Sequence, residues 1–150
     1  MMPLDLPDLK ATEALAARIA PHLRAGHVIA LEGGLGVGKT TFARALVSTL
    51  LGGPTDVPSP TYTLVQTYEG PNFPIYHFDL YRLEDPEELD ELGWEDTLDG
   101  LSLIEWPGKA GNRLPTWRMT LSMEIVDEGR RATLAWVGED WQDVAHAFGD

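Results

Sequence analysis

Leu9, Leu15, Ile19 and Leu23 recur near helical spacing among many alanines, which predicts an amphipathic helix over 8–23 that ends near Gly26. Val28 to Leu31 is a short apolar run and predicts a strand. Thr40 to Leu51 returns to a helical pattern, stopped by Gly52-Gly53-Pro54. The segment VPSPTYTLVQTYEG carries two prolines and predicts irregular chain before a strand around Thr63 to Tyr68. Asn72-Phe73-Pro74 then turns the chain into a second strand, IYHFDLYRL. Pro86 suits the first turn of a helix from about Pro86 to Leu92. GLSLIEW, Gly100 to Trp106, is another apolar strand, ended by Pro107-Gly108. WRMTLSMEIV and RRATLAWV, parted by Asp127-Glu128-Gly129, have the signature of a hairpin, and a short helix over about 140–148 follows.

No internal repeat, low-complexity stretch or linker interrupts this series. The chain of 150 residues, 43% hydrophobic, is expected to form one α/β domain over 1–150 with a mixed sheet. No apolar run reaches the ~18 to 20 residues that span a bilayer. The opening MMPLDLPDLK lacks the basic segment and apolar core of a secretory signal. With no cysteine, disulfides and thiolate metal sites are excluded, and no histidine cluster suggests structural zinc. A cytoplasmic protein with no membrane association is the expectation.

Between the first strand and the second helix lies IALEGGLGVGKTTF, where Gly33, four residues and then Gly38-Lys39-Thr40 complete the pattern G-x-x-x-x-G-K-[ST]. The spacing has a physical reason. Gly33, Gly34, Gly36 and Gly38 permit positive φ and bring backbone N–H groups against phosphate oxygens, with Leu35 and Val37 between them. The helix that follows presents its positive dipole end at the same point. Lys39 spans the β- and γ-phosphates of a nucleotide, the Thr40 hydroxyl is placed to ligate Mg²⁺, and Thr41 supports the loop. The expected fold is therefore a P-loop NTPase-like three-layer sandwich, with a mixed central sheet and a C-terminal antiparallel hairpin. None of Lys10, Lys39 and Lys109 begins a guanine-reading K-x-D element, so ATP is favoured over GTP.

Catalysis beside Mg²⁺ calls for a carboxylate at the end of a neighbouring strand. Asp79 closes IYHFD and Glu105 closes LSLIE, so each is expected at the carboxyl edge where open α/β sheets bind ligands. Spacing alone does not rank them. His77, between Tyr76 and Phe78, reads as a packed histidine. Trp106 reads equally as a plug of the sheet edge or a wall of the nucleotide site. Arg82 has two readings as well, a phosphate contact or a partner of Glu84 or Asp85. No arginine is evidently placed to act as a catalytic finger in cis.

Acidic side chains number 24 against 11 basic ones, a formal charge of −13. That balance is poor for gripping nucleic acid, whose phosphates are neutralised by Lys and Arg. The densest acidic run, LEDPEELDELG, reads first as a solvated helix face and second as a docking surface for a basic partner.

Taken together, GGLGVGKTTFARAL, SPTYTLVQTY, YHFDLYRLEDPEELDELG and LIEWPGKAG resemble the TsaE (YjeE) family, the bacterial ATPases of tRNA threonylcarbamoyladenosine synthesis. The resemblance runs from about Thr12 to Arg130. It implies binding of ATP and Mg²⁺, slow hydrolysis by the chain alone, and joint action with TsaD and TsaB. Those partners transfer the threonylcarbamoyl group to an adenosine beside the anticodon, and the nucleotide cycle resets the complex; tRNA is met only indirectly. Carried across by motif, Thr40 would ligate Mg²⁺ with Glu105 as its carboxylate partner, Lys39, Asp79 and Glu105 would be catalytic, and Trp106 would adjoin the metal acid. Ser59, Pro60, Thr61 and Thr63 resemble a switch beside the phosphates. Thr12 would lie near the adenine and Arg130 would make a weaker nucleotide contact. One departure is Gly34, where the family often has an acid. A small-molecule or nucleotide kinase is the competing reading, although no arginine-rich lid segment accompanies the loop.

Overall fold

The computed structural model describes residues 2–34, 36–53, 64–138 and 141–148. Strand β1 (Met2–Leu6) leads into helix α1 (Leu9–Ile19), whose N-cap Asp8 accepts the Ala11 N–H at 3.0 Å. After a 3-10 turn at Ala20–His22 come β2 (Val28–Glu32) and α2 (Lys39–Leu50). Then follow β3 (Val65–Glu69), β4 (Pro74–Asp79), β5 (Leu101–Glu105), the hairpin β6 (Met119–Val126) and β7 (Gly129–Trp136), and α3 (Gln142–Ala147).

The seven strands form one sheet in the order β1-β7-β6-β2-β5-β4-β3. A parallel block, β6-β2-β5-β4, occupies the centre. Antiparallel β7 and β1 extend it on one side and β3 on the other. Successive side chains of each strand fall on opposite faces of the sheet, which divides the core in two. On one face, Leu15 and Ile19 of α1 and Phe42 and Leu46 of α2 pack with Ile29, Leu31, Leu103 and Leu121. On the other, Val28, Phe78 and Ile104 pack with Leu80, Leu83, Leu89 and Ala110. The mixed α/β architecture, its three layers and the C-terminal hairpin are those expected. The second outer layer is built from 3-10 turns, Pro86–Leu92 and Pro107–Arg113, rather than from α-helices.

Local differences have local causes. Strand β1 was not expected, although Met2, Leu4 and Leu6 alternate with Pro3 and Asp5; five residues with prolines at 3 and 7 are a short signal, and β7 supplies the pairing edge, with Leu4 opposite Ala132. The run IYHFDLYRL does not stay extended, for Leu83 N–H bonds back to Leu80 O and both leucines turn into the second core. The acidic run is exposed as expected, though as a 3-10 turn, with Asp90 paired to Arg113. Thr63 lies outside the described residues, and β3 starts at Val65. Among the described residues no helix is long and apolar enough to cross a membrane.

Leu103 is fully buried in the larger core, whereas Leu98 is 74% exposed. Leu103→Ala is expected to cost about 2–5 kcal/mol in urea unfolding and Leu98→Ala less than about 0.5 kcal/mol. Equal losses for the two would contradict this division of the core.

Candidate functional site

Strand β2 delivers the chain into the glycine loop at the carboxyl edge of the parallel block. Gly33 has φ 142°, and a Cβ there would stand 2.5 Å from Met123 O and 2.7 Å from the Val37 side chain, so nothing larger fits. Gly38, at φ 106°, is the N-cap of α2, and no side chain caps that helix end. The amides and positive dipole end of its first turn are left to a ligand. Gly34, unlike Gly33, Gly36 and Gly38, is not at positive φ. Leu35, with Ser59, Pro60, Thr61 and Thr63, lies outside the described residues.

Register brings the two acids together. Strands β4 and β5 run parallel with Asp79 opposite Glu105, so both carboxylates end at one edge beside α2. Glu105 is 2% exposed and Asp79 5%. The Thr40 hydroxyl donates to Glu105 Oε1 at 2.7 Å, which leaves the Thr40 lone pairs free for a cation. The other carboxylate oxygen, Oε2, lies 2.6 Å from His77 Nε2. Asp79 Oδ1 accepts the Tyr81 N–H at 3.0 Å. Thr40 and Glu105 therefore form a pair of oxygen donors of the kind that hard cations take, in combination with other oxygen ligands.

The Lys39 ammonium donates to Gly33 O at 2.7 Å and lies 3.4 Å from the centre of the Trp106 ring. Trp106 holds φ 58° and ψ 53°, a left-handed conformation that a bulky residue adopts at a cost. That bend turns its ring off the strand toward Lys39 and Tyr81, whose ring centre is 4.9 Å away. Trp106 thus packs on the second core and also lines the cleft beside Lys39.

These groups enclose a cleft of about 390 Å³ lined by Lys39, Thr40, Asp79 and Glu105, and also by Tyr81 and Arg82. A smaller recess of about 240 Å³ shares Val37, Gly38, Thr41 and Arg130 with it and reaches Thr12. Thr12 and Arg130, remote in sequence, are thereby brought to the loop. Arg130 braces it: Nε donates to Val37 O at 3.0 Å and a terminal nitrogen to Gly36 O at 3.3 Å. Arg82, read from the sequence as a phosphate contact or an ion-pair partner, and Arg130, the weaker nucleotide contact, both line the cleft. His77 was read only as a packed residue; its bond to Glu105 joins two strands and has no local sequence signal.

Burial depresses the Lys39 pKa, opposed by the Glu105 carboxylate and then by Asp79. A lysine lowered on folding penalises the fold while it is protonated. The penalty is complete below the folded pKa and fades as pH rises to the unfolded value. Lys39→Met is thus expected to melt at or above the wild-type temperature at pH 7 without ligand, with the difference shrinking toward pH 10. A clear drop in Tm at pH 7 would contradict the assignment.

Comparison with known proteins fits this site. The family described as "Threonylcarbamoyl adenosine biosynthesis protein TsaE" matches residues 6–133. The chain is 42% identical over 129 residues to the tRNA threonylcarbamoyladenosine biosynthesis protein TsaE of Rickettsia felis, covering 85% of this chain and 75% of that one. It is 35% identical over 134 residues to the Bacillus subtilis protein of the same name, covering 87% and 83%. The crystal structure of Bacillus subtilis YdiB superposes with a TM-score of 0.80 at 28% identity, over 97% of this chain and 91% of that one.

Proposed function

The chain belongs to the TsaE family of tRNA threonylcarbamoyladenosine biosynthesis, and from that premise we propose that its cleft binds ATP with Mg²⁺ and hydrolyses it slowly, in the service of that modification. The observation that carries the reading is the convergence of Lys39, Thr40, Asp79 and Glu105 on one cleft at an uncapped helix N-terminus.

The residues present fit such a ligand. Gly33, Gly36 and Gly38 hold positive φ, a backbone that can bring its N–H groups close to phosphate oxygens. The amides at the start of α2 and the Lys39 ammonium answer the triphosphate charge. Thr40 and Glu105 would hold Mg²⁺, which when bound would neutralise triphosphate charge. Thr12 and Arg130 flank the recess that takes the adenosine end. In hydrolysis a water oxygen attacks the γ-phosphorus, the bond to the bridging oxygen breaks, and ADP and phosphate leave with the released proton. Asp79 orients that water near the terminal phosphate, and Lys39 stabilises the charge that develops.

TsaD and TsaB are the partners in this reading. They carry the threonylcarbamoyl transfer, and the nucleotide cycle of this chain resets their complex in the cytoplasm. The acidic balance of the chain supports leaving tRNA contact to them.

The test is ATP turnover by the protein alone and with TsaB and TsaD of the same organism. Slow turnover that rises in the complex, and falls at least about 10²-fold in Lys39→Ala, is expected. Turnover unmoved by the partners would contradict the coupled role. Phosphoryl transfer to a small acceptor in place of water would favour a kinase.

A further inference from the structure

His77 is fully buried on β4, two residues before Asp79, and register sets it opposite Leu103 on the face that packs against α2. Ile75 and Leu103, its neighbours on that face, are fully buried apolar residues of the larger core. Packing alone would be served there by another aliphatic side chain. An imidazole costs dehydration instead, and the cost is offset at one nitrogen only. Nε2 lies 2.6 Å from Glu105 Oε2, whereas Nδ1 is buried with no hydrogen-bond partner among the described residues. A carboxylate oxygen only accepts, so the proton sits on Nε2 and is directed at Glu105. An unpartnered N–H at Nδ1 would cost about 1–3 kcal/mol, which argues for the tautomer with Nδ1 bare.

We infer that His77 is a positioning residue: it clamps Glu105 Oε2 so that the carboxylate presents Oε1 to Thr40 and, with it, to the cation of the bound nucleotide. The inference rests on the proposed ATP and Mg²⁺ cleft and gives His77 a role that the sequence reading did not. Glu105 ends a mostly apolar strand, and its two oxygens are held from different directions, by α2 through Thr40 and by β4 through His77. With Oε2 released, the carboxylate rotates about its terminal torsion and the donor pair loses its fixed geometry. Groups that orient a metal ligand from behind are generally worth about 10- to 100-fold in metal affinity.

The test uses the full chain and fluorescent N-methylanthraniloyl-ADP, bound first in EDTA and then across a range of Mg²⁺ concentrations. His77→Leu is expected to keep the wild-type circular dichroism and its EDTA affinity. It should need about 10-fold more Mg²⁺, or beyond, to reach half of its Mg²⁺-dependent gain in affinity. His77→Gln, which retains a donor at similar reach, is expected to restore most of the Mg²⁺ response. His77→Leu titrating like wild type would overturn the inference, as would Gln and Leu failing alike. Should His77→Leu not fold, His77→Asn, whose amide is too short to reach Oε2, replaces it; equal Mg²⁺ demand in Asn and Gln then overturns the inference. A wild-type protein whose nucleotide affinity ignores Mg²⁺ would overturn the cleft reading itself, and that result appears before any substitution is made.

Discussion

The parallel register of β2, β5 and β4 is the constraint on which the rest depends. Leu31 pairs with Glu105, and Glu105 with Asp79, so three strands end together at one edge. From that edge β2 runs into the glycine loop, β5 into the bend at Trp106, and β4 into Asp79. Because side chains alternate along a strand, a slip of one residue would move Glu105 to the opposite face of the sheet. The apolar positions guard against that slip: Ile29, Leu31 and Leu103 fit only against α1 and α2, and Phe78 and Ile104 only against the 3-10 layer.

Holding two carboxylates at that edge has a consequence. Both are nearly dry, and an unpaired charge in such a place costs several kcal/mol. Each is accordingly bonded: Glu105 to Thr40 and His77, and Asp79 to the Tyr81 amide. The same bonds that make burial tolerable also fix the direction in which the oxygens point. Stability and preorganisation of the site thus come from one set of contacts. Lys39 is the contrary case, a cation dehydrated by burial, whose depressed pKa records a cost to the fold. In a chain of net charge −13, Lys39, Arg82 and Arg130 gather at this cleft.

Much of this was legible in the sequence, for identifiable reasons. The glycine loop declares itself because its geometry tolerates few residue types at fixed spacing, and the strand ends at Asp79 and Glu105 because apolar runs stop there. Helices α1 and α2 carry their own periodicity and fell within a few residues of their expected bounds. What stayed hidden is tertiary. Strand β1 alternates apolar and polar residues over only five positions, and its pairing with β7, more than 120 residues away in sequence, is what makes it a strand. The turn at Pro86–Leu92 starts with the same proline that opens an α-helix, and over so short a span the two helix types carry the same signals. His77 meets Glu105 across 28 residues, and Arg130 reaches the loop across more than 90, contacts that only the strand order creates.

The central claim, that this edge is a prebuilt seat for a magnesium-bound triphosphate, is tested most directly by calorimetric titration of ATP, ADP and AMP with and without Mg²⁺. The account predicts affinity that climbs with each added phosphate and a gain from Mg²⁺ that is largest for ATP. AMP binding as tightly as ATP, indifferent to Mg²⁺, would contradict it.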